Sequence, residues 1–293
     1  MIFRVLFVLI FLSSCNRGKS DSTLSQSVVV LGSVDSRIGE ASGLVASINN
    51  PGFFWTINDS GNPAEIFLID QHAVIRLVCT LANTTNRDWE DISIDKDVHG
   101  KSYLYVADIG DNHSQYKCKM IYRFKEPVLR KDLFRCITQF DTYFFQLSDG
   151  KRDAETILID PKGHDLFIIS KRENWVGLYQ APNPLIKDTM IFKKVLLLPF
   201  TQIVAGGISP DGKRVLLKNY DKIFLWERAA NQSIQQLLLQ APTEVPYQRE
   251  PQGEAIAWSR DSREFFTLSE SEFTRHASLI VHKRNDSHGK RVF

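Results

Sequence analysis

Asp88-Trp89-Glu90-Asp91-Ile92, carried after a polar turn into Tyr103-Leu104-Tyr105-Val106-Ala107, is an acidic opening, an apolar strand, a turn and a second apolar strand. The same order returns four times. Glu40-Ala41-Ser42-Gly43-Leu44 leads into Phe53-Phe54-Trp55-Thr56-Ile57, and Asp153-Ala154-Glu155-Thr156-Ile157 into Leu166-Phe167-Ile168-Ile169. Val204-Ala205-Gly206-Gly207-Ile208 leads into Val215-Leu216-Leu217, and Gln252-Gly253-Glu254-Ala255-Ile256 into Phe265-Phe266-Thr267-Leu268. The copies open at residues 40, 88, 153, 204 and 252, so the steps are 48, 65, 51 and 48. Turn formers such as Asn50-Pro51-Gly52 and Ser209-Pro210-Asp211-Gly212 punctuate them as hairpins.

Self-similarity at this spacing predicts an all-β, five-bladed β-propeller of four-stranded blades. A six-bladed ring is the alternative, because the 65-residue step has room for a degenerate unit. Fourth strands are expected at 74–81, 137–147, 192–198 and 233–240. The last repeat lacks one, and the apolar segment 27–34 is expected to close the ring there and cover its edge. The expected organisation is a signal peptide over 1–14, a modified cysteine and flexible tether over 15–26, the propeller domain over 27–285 and a tail over 286–293.

Formal net charge is +2, from 36 Lys and Arg against 34 Asp and Glu, with the basic residues scattered. Nothing in that distribution points to a nucleic-acid partner, and none is expected. Four cysteines without CxxC or Cys/His spacing give no zinc motif. Cys118 and Cys136 are spaced to join neighbouring strands as a disulfide; three free thiols, Cys79 included, is the equal alternative.

Within a propeller the repeats converge on one axis. Alternation along a strand puts positions two apart on one face, so Glu40, Asp88, Glu90, Asp153, Glu155 and Glu254 are expected to line a funnel as candidate metal ligands. The strand ends returning to that face add Asp59, Asp108, Asp111, Lys171, Arg172, Lys218, Tyr220 and Glu270 as candidate ligand-binding residues. Hard carboxylate oxygens favour Ca²⁺ over a transition metal. Ion pairing with Lys171, Arg172 and Lys218 is the purely structural alternative. Trp175, beside two of those cations, is read as packing or as a stacking surface for a ligand. No Gly-x-Ser-x-Gly elbow occurs, and no catalytic residue is assigned.

Two resemblances extend this reading. Leu12-Ser13-Ser14-Cys15, after Arg4 and the apolar run 5–12, resembles the lipobox of bacterial lipoproteins. It implies cleavage before Cys15, lipidation there and a membrane-anchored place in the bacterial cell envelope, inner or outer membrane undetermined. The run is too short to span a bilayer as a helix. The motifs Asp88-Trp89-Glu90-Asp91, Asp108-Ile109-Gly110-Asp111-Asn112 and Asp153-Ala154-Glu155 resemble mostly uncharacterised envelope propeller proteins. More distantly they resemble the SdiA-regulated and phytase-like propeller families. The likeness implies a propeller with an acidic funnel and no settled activity; the converging carboxylates and cations make it a funnel that binds a ligand, with Ca²⁺ as the candidate ion. Its alternatives are a calcium-dependent, phytase-like phosphoester hydrolase and a structural or docking propeller with an inert funnel. Whether the chain is an enzyme stays open at this stage.

Overall fold

The computed structural model describes residues 26–271 and 277–284, and they form an all-β architecture with one short helix. Along the chain, β1 (Gln26–Ser33) precedes β2 (Ala41–Ala46), β3 (Phe54–Asn58), β4 (Glu65–Ile69) and β5 (Ile75–Leu81). Next come β6 (Trp89–Lys96), β7 (Ser102–Asp108), β8 (Lys119–Lys125), β9 (Phe134–Ile137) and β10 (Asp141–Leu147). β11 (Ala154–Ile159), β12 (Leu166–Ser170), β13 (Val176–Gln180) and β14 (Met190–Leu198) follow. Then come β15 (Ile203–Ile208), β16 (Arg214–Asn219), β17 (Ile223–Glu227), α1 (Ile234–Leu238) and β18 (Thr243–Val245). β19 (Ala255–Trp258), β20 (Glu264–Leu268) and β21 (Ser278–Arg284) end the described chain.

The strands do not assort into uniform blades. Hydrogen bonding joins them into sheets of 4, 8, 4 and 5 strands. The eight-stranded sheet runs β11-β12-β13-β14-β10-β8-β7-β6, and its end strands β6 and β11 pack side by side, so it nearly closes into a barrel. The five- or six-bladed propeller is thereby overturned. Two parallel pairings account for the difference. β10 pairs with β14 through Phe145–Met190 to Leu147–Phe192, fusing what the sequence pattern separates. β9 pairs with β5 through Val78–Phe134 to Leu81–Ile137, adding a fifth strand to the first sheet. The segment expected as one strand over 137–147 is thus broken between two sheets. The strand expected over 233–240 is instead the helix α1, started by a capping box in which Ser233 and Gln236 satisfy each other's backbone N–H groups.

β1 pairs antiparallel with β21, from Gln26–Arg284 to Ser33–Ser278. Apolar residues on both faces of the sheets explain the packing. Trp55, Trp89 and Phe124 fill one core cluster, and Phe145 stacks on Phe192 at 4.0 Å in another. The opening strands β2, β6, β11, β15 and β19 pack in that cyclic order, with β19 beside β2. Side chains bridge where ladders do not: Ile157 N–H donates to Asp91 at 2.9 Å and Ser42 Oγ donates to the Trp89 carbonyl at 3.0 Å.

Cys79 is buried, Cys118 half-buried and Cys136 exposed, and all three are free thiols, so the Cys118–Cys136 disulfide does not form. The proposed signal peptide, Cys15 and the 286–293 tail lie outside the described residues.

Candidate functional site

Four opening strands carry the same irregularity. The ladder shifts register between Ala41 and Gly43, Trp89 and Asp91, Ala154 and Thr156, and Ile203 and Ala205. The residues passed over are Ser42, Glu90, Glu155 and Val204. A β-bulge re-aims the residue it leaves unpaired, so strict alternation stops where the acidic side chains begin. The hairpin partners end beside them, because antiparallel neighbours place the start of one strand next to the end of the other.

The result is a cavity of about 300 Å³. Asp59, Glu90, Glu155, Glu254 and Glu270 line it, against the cations Lys171 and Arg172. Asn112, Gln202, Tyr220 and Gln252 complete the wall. Gln202 and Gln252 hold left-handed backbones (φ 56° and 38°), a strained state for non-glycine residues that only a well-determined surrounding structure maintains.

Each side chain has a definite place. Lys171 Nζ, itself buried, donates to Glu155 Oε1 and lies 3.9 Å from Glu254. Tyr220 donates its hydroxyl to Glu254, and its ring lies 5.4 Å from the Lys171 ammonium. Arg172 Nε donates to Asp153 Oδ2 at 2.5 Å, while Asp111 N–H donates to Asp153 Oδ1 at 2.8 Å. Asp111 uses its own carboxylate to accept from the Gln115 and Tyr116 amides, so it builds the loop. Asp108 is buried against Arg87 at 2.8 Å. Lys218 is buried on the Gly253 carbonyl, and Glu40 accepts from Asn62 at 2.5 Å. Asp108, Asp111, Lys218 and Glu40 thus stand apart from the cavity lining, as does the exposed Trp175.

Burial and mutual repulsion set the electrostatics. Burial, then Glu155, Asp59 and Asp88, hold the Glu90 carboxyl well above the ordinary range. Burial also raises Glu155, with Lys171 opposing and Glu254 reinforcing. Burial, then Asp59 and Asp153, raises Asp88 to about 6. Burial, then repulsion from Glu254 and a hydrogen bond shared with it, raises Glu270 to about 8. Burial alone lowers Lys171, but Glu155 and Glu254 outweigh it and hold the ammonium charged.

Two groups of carboxylates, Asp59/Asp88/Glu90 and Glu90/Asp153/Glu155, can coordinate a divalent metal ion, with ligand oxygens in each group within 4.8 Å of one another. Glu90 belongs to both. Glu155 is 3% exposed, and its Oε2 has no hydrogen-bond partner. Gly110, one of the motif residues, passes so close to Glu90 and Asp88 that a Cβ would collide with both carboxyls. Gln202 and Gln252 share the recurring position of Asp88 and Asp153, and Asn112 lies just after a returning strand, but none of the three is among the candidate ligand residues; all three line the cavity.

No family model matches the chain, and no curated protein matches it. The resemblance to envelope, SdiA-regulated and phytase-like propellers is therefore set aside, since the sheets observed are not radial blades. The readings built on a propeller funnel lose their premise with it, whether ligand-binding, phytase-like hydrolase or inert docking module.

Proposed function

We propose that this chain is a cation-binding domain whose acidic cavity takes one hard divalent ion, Ca²⁺, between Glu90, Glu155 and Asp153. The observation that carries it is the bare, buried Oε2 of Glu155 within a group of converging carboxylates. Five carboxylic acids line the cavity against two cations. Such an excess is relieved by protons or by a bound cation. All-oxygen donors without cysteine or histidine favour Ca²⁺ or Mg²⁺ over zinc, and irregular spacing in a roomy site favours Ca²⁺ over octahedral Mg²⁺. Asp59 and Asp88 stand ready as further oxygen donors from the overlapping group.

The N-terminal motif supports a second part of the reading: lipidation of Cys15 holds the domain at a membrane of the cell envelope. Calorimetric titration of the full chain with Ca²⁺, Mg²⁺ and Zn²⁺ tests the ion. Saturable heat with Ca²⁺ preferred is expected; no binding of any of the three sinks the reading. Mass spectrometry of the processed N-terminus tests the anchor, and an unmodified Cys15 refutes it.

A further inference from the structure

The opening strands have two ends, and each end borders a cavity of different character. β6, β11 and β19 start on the acidic cavity, with Glu90, Glu155 and Glu254 at or just before their first residues. The closing residues of all five strands, Ala46, Lys96, Ile159, Ile208 and Trp258, line a second cavity of about 230 Å³. Its wall is largely apolar, with Leu44, Ile92, Ile94 and Ile256 beside the Trp258 indole. That indole donates its N–H to the Gly207 carbonyl at 3.1 Å, so the ring presents apolar surface to the space. Gly207 keeps the space open: a Cβ there would meet nothing closer than Trp258 Cδ1 at 3.6 Å and the Ile256 carbonyl oxygen at 4.0 Å.

Four ionisable residues stand on the lining: Asp95, Lys96, His164 and Arg260. Asp95 is buried and already paired, its Oδ2 lying 2.6 Å from His164 Nδ1. Lys96 and Arg260 are exposed at the mouth, and neither side chain has a hydrogen bond or ion pair among the described residues. Burial lowers the Arg260 guanidinium from its ordinary range, and Glu126 opposes it. Glu126 is not its partner, because that carboxylate already accepts from Ser47, Ile48, Asn49 and Trp55. Two cations against one carboxylate leave the lining net positive even with His164 neutral. Arg214, held on the Ser262 carbonyl at 2.7 Å, adds positive charge 5.6 Å from the Trp258 ring. An unpaired guanidinium presents a planar fork of donors that matches a carboxylate, and the aliphatic wall behind it suits an alkyl chain. An apolar cavity of about 150 Å³ takes benzene, so this larger one suits a chain of roughly six to eight carbons. We infer that this cavity binds a short aliphatic carboxylate, with its alkyl chain among the isoleucines and its head on Arg260, supported by Lys96. The inference does not rest on the Ca²⁺ reading of the acidic cavity.

The test is calorimetric titration of the full chain with hexanoate, without divalent ions. Saturable binding is expected, with hexylammonium and inorganic phosphate each at least about tenfold weaker. Arg260→Gln, on an exposed turn, should fold and weaken hexanoate at least about tenfold. Gly207→Leu should remove binding by filling the cavity. Absence of saturable hexanoate binding overturns the inference. So does phosphate or hexylammonium binding as tightly as hexanoate, or an Arg260→Gln variant that keeps the parent's affinity. If Gly207→Leu does not fold, Arg260→Gln and the probe comparison decide.

Discussion

Two buried glutamates, Glu126 and Glu155, show how differently one side chain can be used. Glu126 is 2% exposed, and its carboxylate accepts four bonds: from Ser47 Oγ at 2.5 Å, Ile48 N–H at 3.0 Å, Asn49 N–H at 2.9 Å and Trp55 Nε1 at 3.0 Å. It closes the turn between β2 and β3 onto the end of β8. Glu155, equally buried, keeps one partner, Lys171, and one bare oxygen. Satisfied carboxylates hold structure together, whereas a half-satisfied one facing a cavity of about 300 Å³ awaits a ligand. The difference between the two regions is therefore one of completeness, not of charge or depth.

The largest effect should come from breaking the complete one. Glu126→Ala strands four donors, and urea denaturation should record a loss of roughly 3–5 kcal/mol. A loss below about 1 kcal/mol would erase the distinction. Glu155→Gln should behave oppositely. Without divalent ions its stability should stay within about 1 kcal/mol of the parent, since the amide oxygen still accepts from Lys171. With Ca²⁺ at a hundredfold excess over Kd, the parent should gain about 2.7 kcal/mol and the variant nothing; retention of the gain would move the ion elsewhere.

The smallest effect is the pH dependence of the ion-free protein. Folded-state values above the unfolded ones mean the native state binds more protons. Stability is then full below the ordinary carboxyl range and falls as pH rises. Asp88 acts up to about 6 and Glu270 up to about 8, so the window runs from about pH 4 to about pH 8. The Ca²⁺ gain should widen as pH rises through the Asp88 range, because Asp88 is among the oxygen donors and the ion displaces its proton. Thermal melts at stepped pH, with chelator and with Ca²⁺, read both slopes; a stability that rises with pH in chelator contradicts the assignment.

Much of this was written in the chain. The all-β class, the hairpins from β2–β3 to β19–β20 and the lining carboxylates Glu90, Glu155 and Glu254 follow from short apolar runs between turn residues. So does the choice of Lys171, Arg172 and Tyr220, which sit at the ends of returning strands. The propeller did not follow. Periodicity reports which local hairpins form, because hairpin closure depends on neighbouring residues. It does not report the parallel pairings of β5 with β9 and β10 with β14, which join segments distant in sequence.

Asp108, Asp111 and Lys218 carry the right chemistry at the right chain position, yet tertiary packing turned each to a structural partner. The sheet membership and the bulges that aim Glu90 and Glu155 were both decided by contacts between distant segments. The sequence alone determined that carboxylates recur at the openings of successive strands. Only the tertiary structure decided which were neutralised by partners and which were left with an oxygen to offer, because desolvation and partner geometry arise only once the segments meet.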